Sequence, residues 1–118
     1  MRPAKDALLK LGEYLRSLRE AKGLSVRQLA DQLGLESSYV SKIEHGDRVP
    51  SEAVLGSLAG VFEISPHLLM AMSGQVTRAF IEAMQRYPKA FATLIEGLPK
   101  ASEQTVVRAA RAVRDGDW

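Results

Sequence analysis

Between Leu24 and Gly46 the chain runs LSVRQLADQLGLESSYVSKIEHG, and no other stretch restricts the fold as tightly. Ser25 offers a hydroxyl that can accept an orphan amide proton of a first helical turn, so a helix is expected to start there. Leu29 and Leu33 follow at i, i+4 with Ala30 beside them, which makes one apolar face. Gly34 marks the stop, because glycine adopts a left-handed backbone at the least cost. A second helix is expected from Ser37 to Glu44, with Val40 and Ile43 turned inward. Ser37, Ser38, Ser41 and Lys42 then fall on its other face.

Composition narrows the remaining choices. With 118 residues, the chain is one domain, or one small domain and an extension. Its 46% hydrophobic and 25% charged content is ordinary for a soluble globular protein. The absence of cysteine excludes a disulfide framework and thiolate metal sites. No apolar run approaches the roughly 18 residues of a membrane span, and MRPAKDALLK lacks a secretory core, so a cytoplasmic location is expected. Net charge is only +2, and residues 1–73 hold nine basic and nine acidic side chains. Bulk basicity therefore gives no support to binding of a polyanion, which would require segregated charge. The two histidines stand in different elements, and Glu36 and Glu44 lie at opposite ends of one helix. Neither a catalytic pair nor a metal or cofactor site is expected, and an enzyme is disfavoured.

The spacing of Ala30, Gly34, Val40 and Ile43 resembles a helix-turn-helix, and within that class the Cro/C1-type (XRE) domain of phage and bacterial repressors. In such a domain the alanine is small because the second helix passes over it, and the glycine makes the turn. The resemblance implies an all-α chain with a five-helix, lambda-repressor-like DNA-binding domain over residues 1–73. The flanks agree with it. Leu8, Leu11, Leu15 and Leu18 predict a first helix over Asp6–Lys22, closed by Gly23. Arg2 and Lys5 precede that helix, where a disordered terminus is expected in preference to a loose arm. Ser51 is a cap for a fourth helix, Glu52 to Glu63, with Val54, Leu55, Leu58, Ala59 and Phe62 apolar. Ser65-Pro66 opens a short fifth helix with Leu68, Leu69 and Met72 facing the core.

Residues 74–118 resemble nothing so specific. Val76 to Tyr87 shows near-helical apolar spacing, and Pro88 starts a second stripe through Phe91, Leu94, Ile95 and Leu98. Ser102 can cap a last helix, Glu103 to Arg114, with Val106, Val107, Ala110 and Val113 apolar. Such short helices are too small to fold securely alone and are expected to pack on the first domain, on a second copy, or on both. A homodimerisation element or a site for a protein partner is the natural expectation. Arg108, Arg111 and Arg114 lie on one side of the last helix, where positive charge also suits a helix C-terminus.

What the resemblance implies for double-stranded DNA falls on particular residues. Ser37, Ser38 and Lys42 match the family's base-reading positions, with Tyr39 and Ser41 adjacent. Arg27 and Arg48 are the expected phosphate clamps, and His45 a weaker contact in the loop after the reading helix. An arginine of helix 1 pairs, in this family, with the glutamate that closes the reading helix; Arg19 and Glu44 stand at those places. Two departures reduce the expected grip: Val26 replaces a common glutamine, and Glu36 a common serine or threonine. The implied function is a dimeric, sequence-specific transcriptional regulator, more often a repressor in this family. The alternative is an antitoxin or protease-regulated repressor whose C-terminal helices bind a protein.

Overall fold

A computed structural model describes residues 3–116, all of the regular structure helical. The elements are α1 (Lys5–Ala21), α2 (Val26–Leu33), α3 (Ser37–Glu44), α4 (Glu52–Phe62) and α5 (Pro66–Met72). Three more follow, α6 (Arg78–Arg86), α7 (Pro88–Gly97) and α8 (Glu103–Asp115), with a short 3-10 turn at Leu98–Lys100. Two compact units emerge, Met1–Arg78 and Ala79–Trp118.

The five helices of the first unit begin and end where local chemistry allows. Ser25 accepts the Gln28 amide at 3.0 Å, while the Gln28 side chain accepts the Ser25 amide at 2.8 Å. This capping box satisfies two donors that an uncapped α2 would leave orphaned. Gly34 takes φ 68° as the C-cap of α2, and the next amide, of Leu35, reaches back to the Ala30 carbonyl. Ser51 and Ser65 cap α4 and α5 as expected. No glycine stops α4. Glu63 itself adopts φ 55°, and the Ile64 amide returns to Ala59 while its side chain packs on the core. That apolar anchor just past the cap offsets the cost of a left-handed non-glycine residue, about 1–2 kcal/mol.

The core gathers Leu11 and Leu15 of α1, Leu29 and Ala30 of α2, and Val40 and Ile43 of α3. Leu55, Leu58, Ala59 and Phe62 of α4 and Leu69 and Met70 of α5 complete it. Each fully buried leucine is worth roughly 1.5–3 kcal/mol relative to exposure. Ala30 is fully buried, as the crossing of α3 over α2 requires. Two expectations need correction. Leu68 is 43% exposed, and Met70 fills the core beside Leu69. Four of the seven residues of α5 are large and apolar, so periodicity leaves its buried face open. Lys5 is part of neither a disordered terminus nor a loose arm but is the first residue of α1, while Arg2 lies outside the described residues.

At Gly12, α1 lies against the backbone of α3. A Cβ there would collide with the Glu44 carbonyl oxygen and stand 2.7 Å from the Glu44 carbonyl carbon and the Ile43 oxygen. Beside this contact, Arg19 donates from Nε to Glu44 Oε2 at 2.7 Å and from Nη2 to Oε1 at 3.0 Å. Its Nη1 donates to the Leu24 carbonyl at 2.8 Å. Both side chains are buried, so the fork is charge-assisted and shielded from water. The hydrogen bond to Glu44 holds the Arg19 guanidinium above its ordinary pKa, with the Glu44 and Glu20 charges acting in the same direction against burial.

In the second unit no described residue of α6, α7 or α8 is buried. Phe80 of α6 meets Phe91 of α7 edge to face, ring centroids 5.3 Å apart. Ile81, Ile95 and Val113 remain exposed. Ser102 caps α8 through the Thr105 amide.

Two substitutions test the α1–α3 seam. Gly12→Ala should lower unfolding free energy by about 1–3 kcal/mol, because the obstacle is backbone. Gly56→Ala in α4, with nothing within 4 Å of the added carbon, should raise it by about 0.5–1 kcal/mol. Equal urea midpoints for the two variants would contradict the close approach. Glu44→Ala leaves Arg19 buried without its carboxylate and should cost about 3–5 kcal/mol, also read from urea unfolding.

Candidate nucleic-acid interface

With Val40, Ile43 and Glu44 committed inward, α3 turns Ser37, Ser38 and Lys42 to solvent and leaves Ser41 half-buried at the edge. Ser37 and Ser41, Ser38 and Ser41, and Ser38 and Lys42 are neighbours on the helix because residues three and four apart stack along it. The Glu36 carboxylate makes no capping hydrogen bond to α3. The Tyr39 amide donates to the Glu36 carbonyl at 3.1 Å, and the Ser37 and Ser38 amides are left at the positive end of the helix dipole.

Tyr39 and Arg48 come together. The Arg48 guanidinium lies 5.3 Å from the centre of the Tyr39 ring, and that ring packs against the edge of the core. A cation held over an aromatic face keeps its outward N–H groups free for another partner. Ser41 and His45 also meet. His45 Nδ1 lies 2.7 Å from the Ser41 carbonyl oxygen, which can only accept. Nδ1 therefore carries the proton in this contact, and Nε2 is the nitrogen left toward solvent. Arg27 stands apart in the first turn of α2, exposed. Neither it nor Lys42 forms an ion pair with another described residue.

The loop that carries Arg48 is fixed at both ends. On one side, Lys5 donates from Nζ to the Gly46 carbonyl at 2.6 Å and to Asp47 Oδ1 at 2.7 Å. The hydrogen bond from Lys5, and then its charge, hold the Asp47 carboxyl below the usual carboxylate range. Gly46 takes φ 74° with Leu9 against it, so a side chain here would meet both backbone strain and steric conflict. On the other side, Gln75 donates from Nε2 to the Pro50 carbonyl at 3.1 Å and to Ser73 Oγ at 3.0 Å.

Several of these contributors escaped sequence reasoning. Gly12 carried a usable signal, since a glycine inside a leucine-patterned helix costs about 1 kcal/mol and needs a packing reason. Gln28 also carried one, three residues after a serine cap. Lys5 and Gln75 carried none, because their partners are 41 and 25 residues away. Among the described residues there is no cluster of His, Cys, Asp or Glu able to hold a metal ion. No helix among them is long and apolar enough to cross a membrane.

Comparison with known proteins gives this geometry a family. The HTH-type transcriptional repressor RghR of Bacillus subtilis is 41% identical over 66 residues, 55% of this chain and 49% of RghR. An uncharacterized HTH-type transcriptional regulator of the same organism, RghRB, is 37% identical over 86 residues, 72% of this chain and 61% of its own length. The chain thus spans about half to three-fifths of these relatives. In structure, the restriction-modification controller protein C.AhdI from Aeromonas hydrophila superposes with a TM-score of 0.51 at 43% identity. That match covers 55% of this chain and 94% of C.AhdI. Residues 10–72, over half the chain, match the family model of the helix-turn-helix domain, and the chain belongs to that family.

Proposed function

We propose that this chain is a sequence-specific DNA-binding transcriptional regulator that acts as a homodimer and represses by occluding promoters. The observation that carries the proposal is the outer side of α3. Ser37, Ser38 and Lys42 project from a helix whose opposite side is locked by the Arg19–Glu44 fork. A helix presented in this way fits the major groove with its first turn toward the base edges. Lys42 donates to guanine O6 or N7, while the serine hydroxyls adapt to either donor or acceptor. Ser41 and Tyr39 border that surface. Arg48, Arg27 and His45 bind phosphates, adding affinity and salt dependence without sequence information. The names of RghR as a repressor and C.AhdI as a controller protein support the same reading.

Dimerisation is assigned to residues 79–118. Exposed Phe80, Ile81, Leu94 and Val106 on helices that bury no residue of their own support it. A dimer would read two half-sites about one helical turn apart. The same apolar surface supports a second reading, an antitoxin or protease-regulated repressor that engages another protein through α6–α8.

Selection of DNA from a random pool tests the main claim. A palindromic consensus is expected; no enrichment overturns it. On the selected site, Lys42→Ala should cost about 1–3 kcal/mol and relax one base position. Equal loss on selected and random duplexes would instead make Lys42 a phosphate contact. A chain ending at Arg78 should sediment as a monomer and bind the site more weakly. Unchanged dimerisation and affinity would remove α6–α8 from the role assigned to them.

A further inference from the structure

One face of α1 carries three successive contacts with the end of α3. Gly12 lies against the Ile43 and Glu44 carbonyls, Leu9 against Gly46, and Lys5 against Gly46 and Asp47. These residues stand at i+7, i+4 and i, one side of a helix. The last of them is the polar one. Lys5 Nζ bridges the carbonyl of Gly46, where the chain leaves α3 with φ 74°, and the carboxylate of Asp47. The Asp47 amide in turn donates to the Lys42 carbonyl at 2.8 Å. Arg48, the next residue, is the one that stacks on Tyr39.

We propose that Lys5 is a positioning residue for DNA binding: it latches Gly46 and Asp47 to α1 and so fixes where Arg48 presents its guanidinium to a phosphate. The proposal rests on the phosphate role given to Arg48 above. Lys5 acts through the loop and not on the DNA. Its amine donates to the protein, once to a carbonyl and once to a carboxylate that already neutralises it. The pair is more than half exposed on both sides, so it adds little to global stability. Its effect is concentrated in a loop where Asp47 has no apolar anchor and Arg48 rests on the Tyr39 ring. Removing the bridge leaves Gly46 and Asp47 held only by their amide hydrogen bonds to Ile43 and Lys42 and by Leu9, and the start of Arg48 is less constrained.

The test is binding of the full-length chain to a short mixed-sequence duplex over a range of salt, followed by fluorescence anisotropy. Arg48→Ala should reduce the slope of log K against log salt by about one for each protomer bound. Lys5→Met should weaken binding about three- to tenfold with a similar loss of slope. Lys5→Arg should restore both. The double variant should bind no more weakly than Arg48→Ala alone, and the melting temperature of Lys5→Met should move by less than about 4 °C. Multiplied losses in the double variant would make Lys5 a DNA contact in its own right and overturn the latch. So would unchanged binding by Lys5→Met, failure of Lys5→Arg to restore it, or a large drop in melting temperature. If the unchanged chain does not bind, or Arg48→Ala is indifferent, the phosphate role of Arg48 falls, and the latch with it.

Discussion

Where α1 meets the end of α3, Gly12 has no side chain and the carbonyls of Ile43 and Glu44 occupy the space a methyl group would need. Helix axes separated by ordinary side chains lie about 8–10 Å apart; a glycine allows a closer approach on one side. That proximity lets Arg19 reach Glu44 with two hydrogen bonds and still donate to the Leu24 carbonyl before α2. Steric and electrostatic locks therefore act on the same residue, one on the backbone of Glu44 and one on its carboxylate. The outward serines and Lys42 inherit their orientation from both.

The near-zero charge of the first 73 residues is compatible with a surface for a polyanion if the cations are segregated on it. Glu44 is buried against Arg19, Glu20 faces Arg16 at 2.9 Å, and Asp47 faces Lys5 at 2.7 Å. Arg27 and Lys42 have no such partner among the described residues, and Arg48 leans on an aromatic ring instead of a carboxylate. Each ion pair cancels one base with one acid, so the sum stays at zero and what matters is position. Arg27, Lys42 and Arg48 stand on α2, on α3 and in the loop after it, none in an ion pair with a described residue.

How much could be read beforehand follows from the range of each interaction. The α2 cap at Ser25, the turn at Gly34 and the caps at Ser51 and Ser65 are local, and their chemistry is complete within a few residues. The inward set of α1 to α4 was legible because leucine, valine and isoleucine recur with helical period. α5 was not, since its apolar residues surround it and packing alone chooses Leu69 and Met70 over Leu68. The Arg19–Glu44 pair came from family likeness; nothing in the spacing of 25 residues requires it. Lys5 looked like part of a tail because the partner that orders it lies in a loop beyond two further helices. The end of α4 at Glu63 was approximate because a left-handed glutamate leaves no compositional mark.

The place of Leu69 and Met70 in the core has a consequence for biosynthesis. α1 leaves the ribosome before the other helices of its unit, and its inner face shares one apolar cluster with α5, the last of them. Until those two residues emerge, Leu11 and Leu15 lack part of their cover, and α3 can dock only on an incomplete support. Domains fold as units during synthesis, and this one becomes complete late relative to its own working helix. While α4 and α5 are still being made, α3 is complete but not yet held.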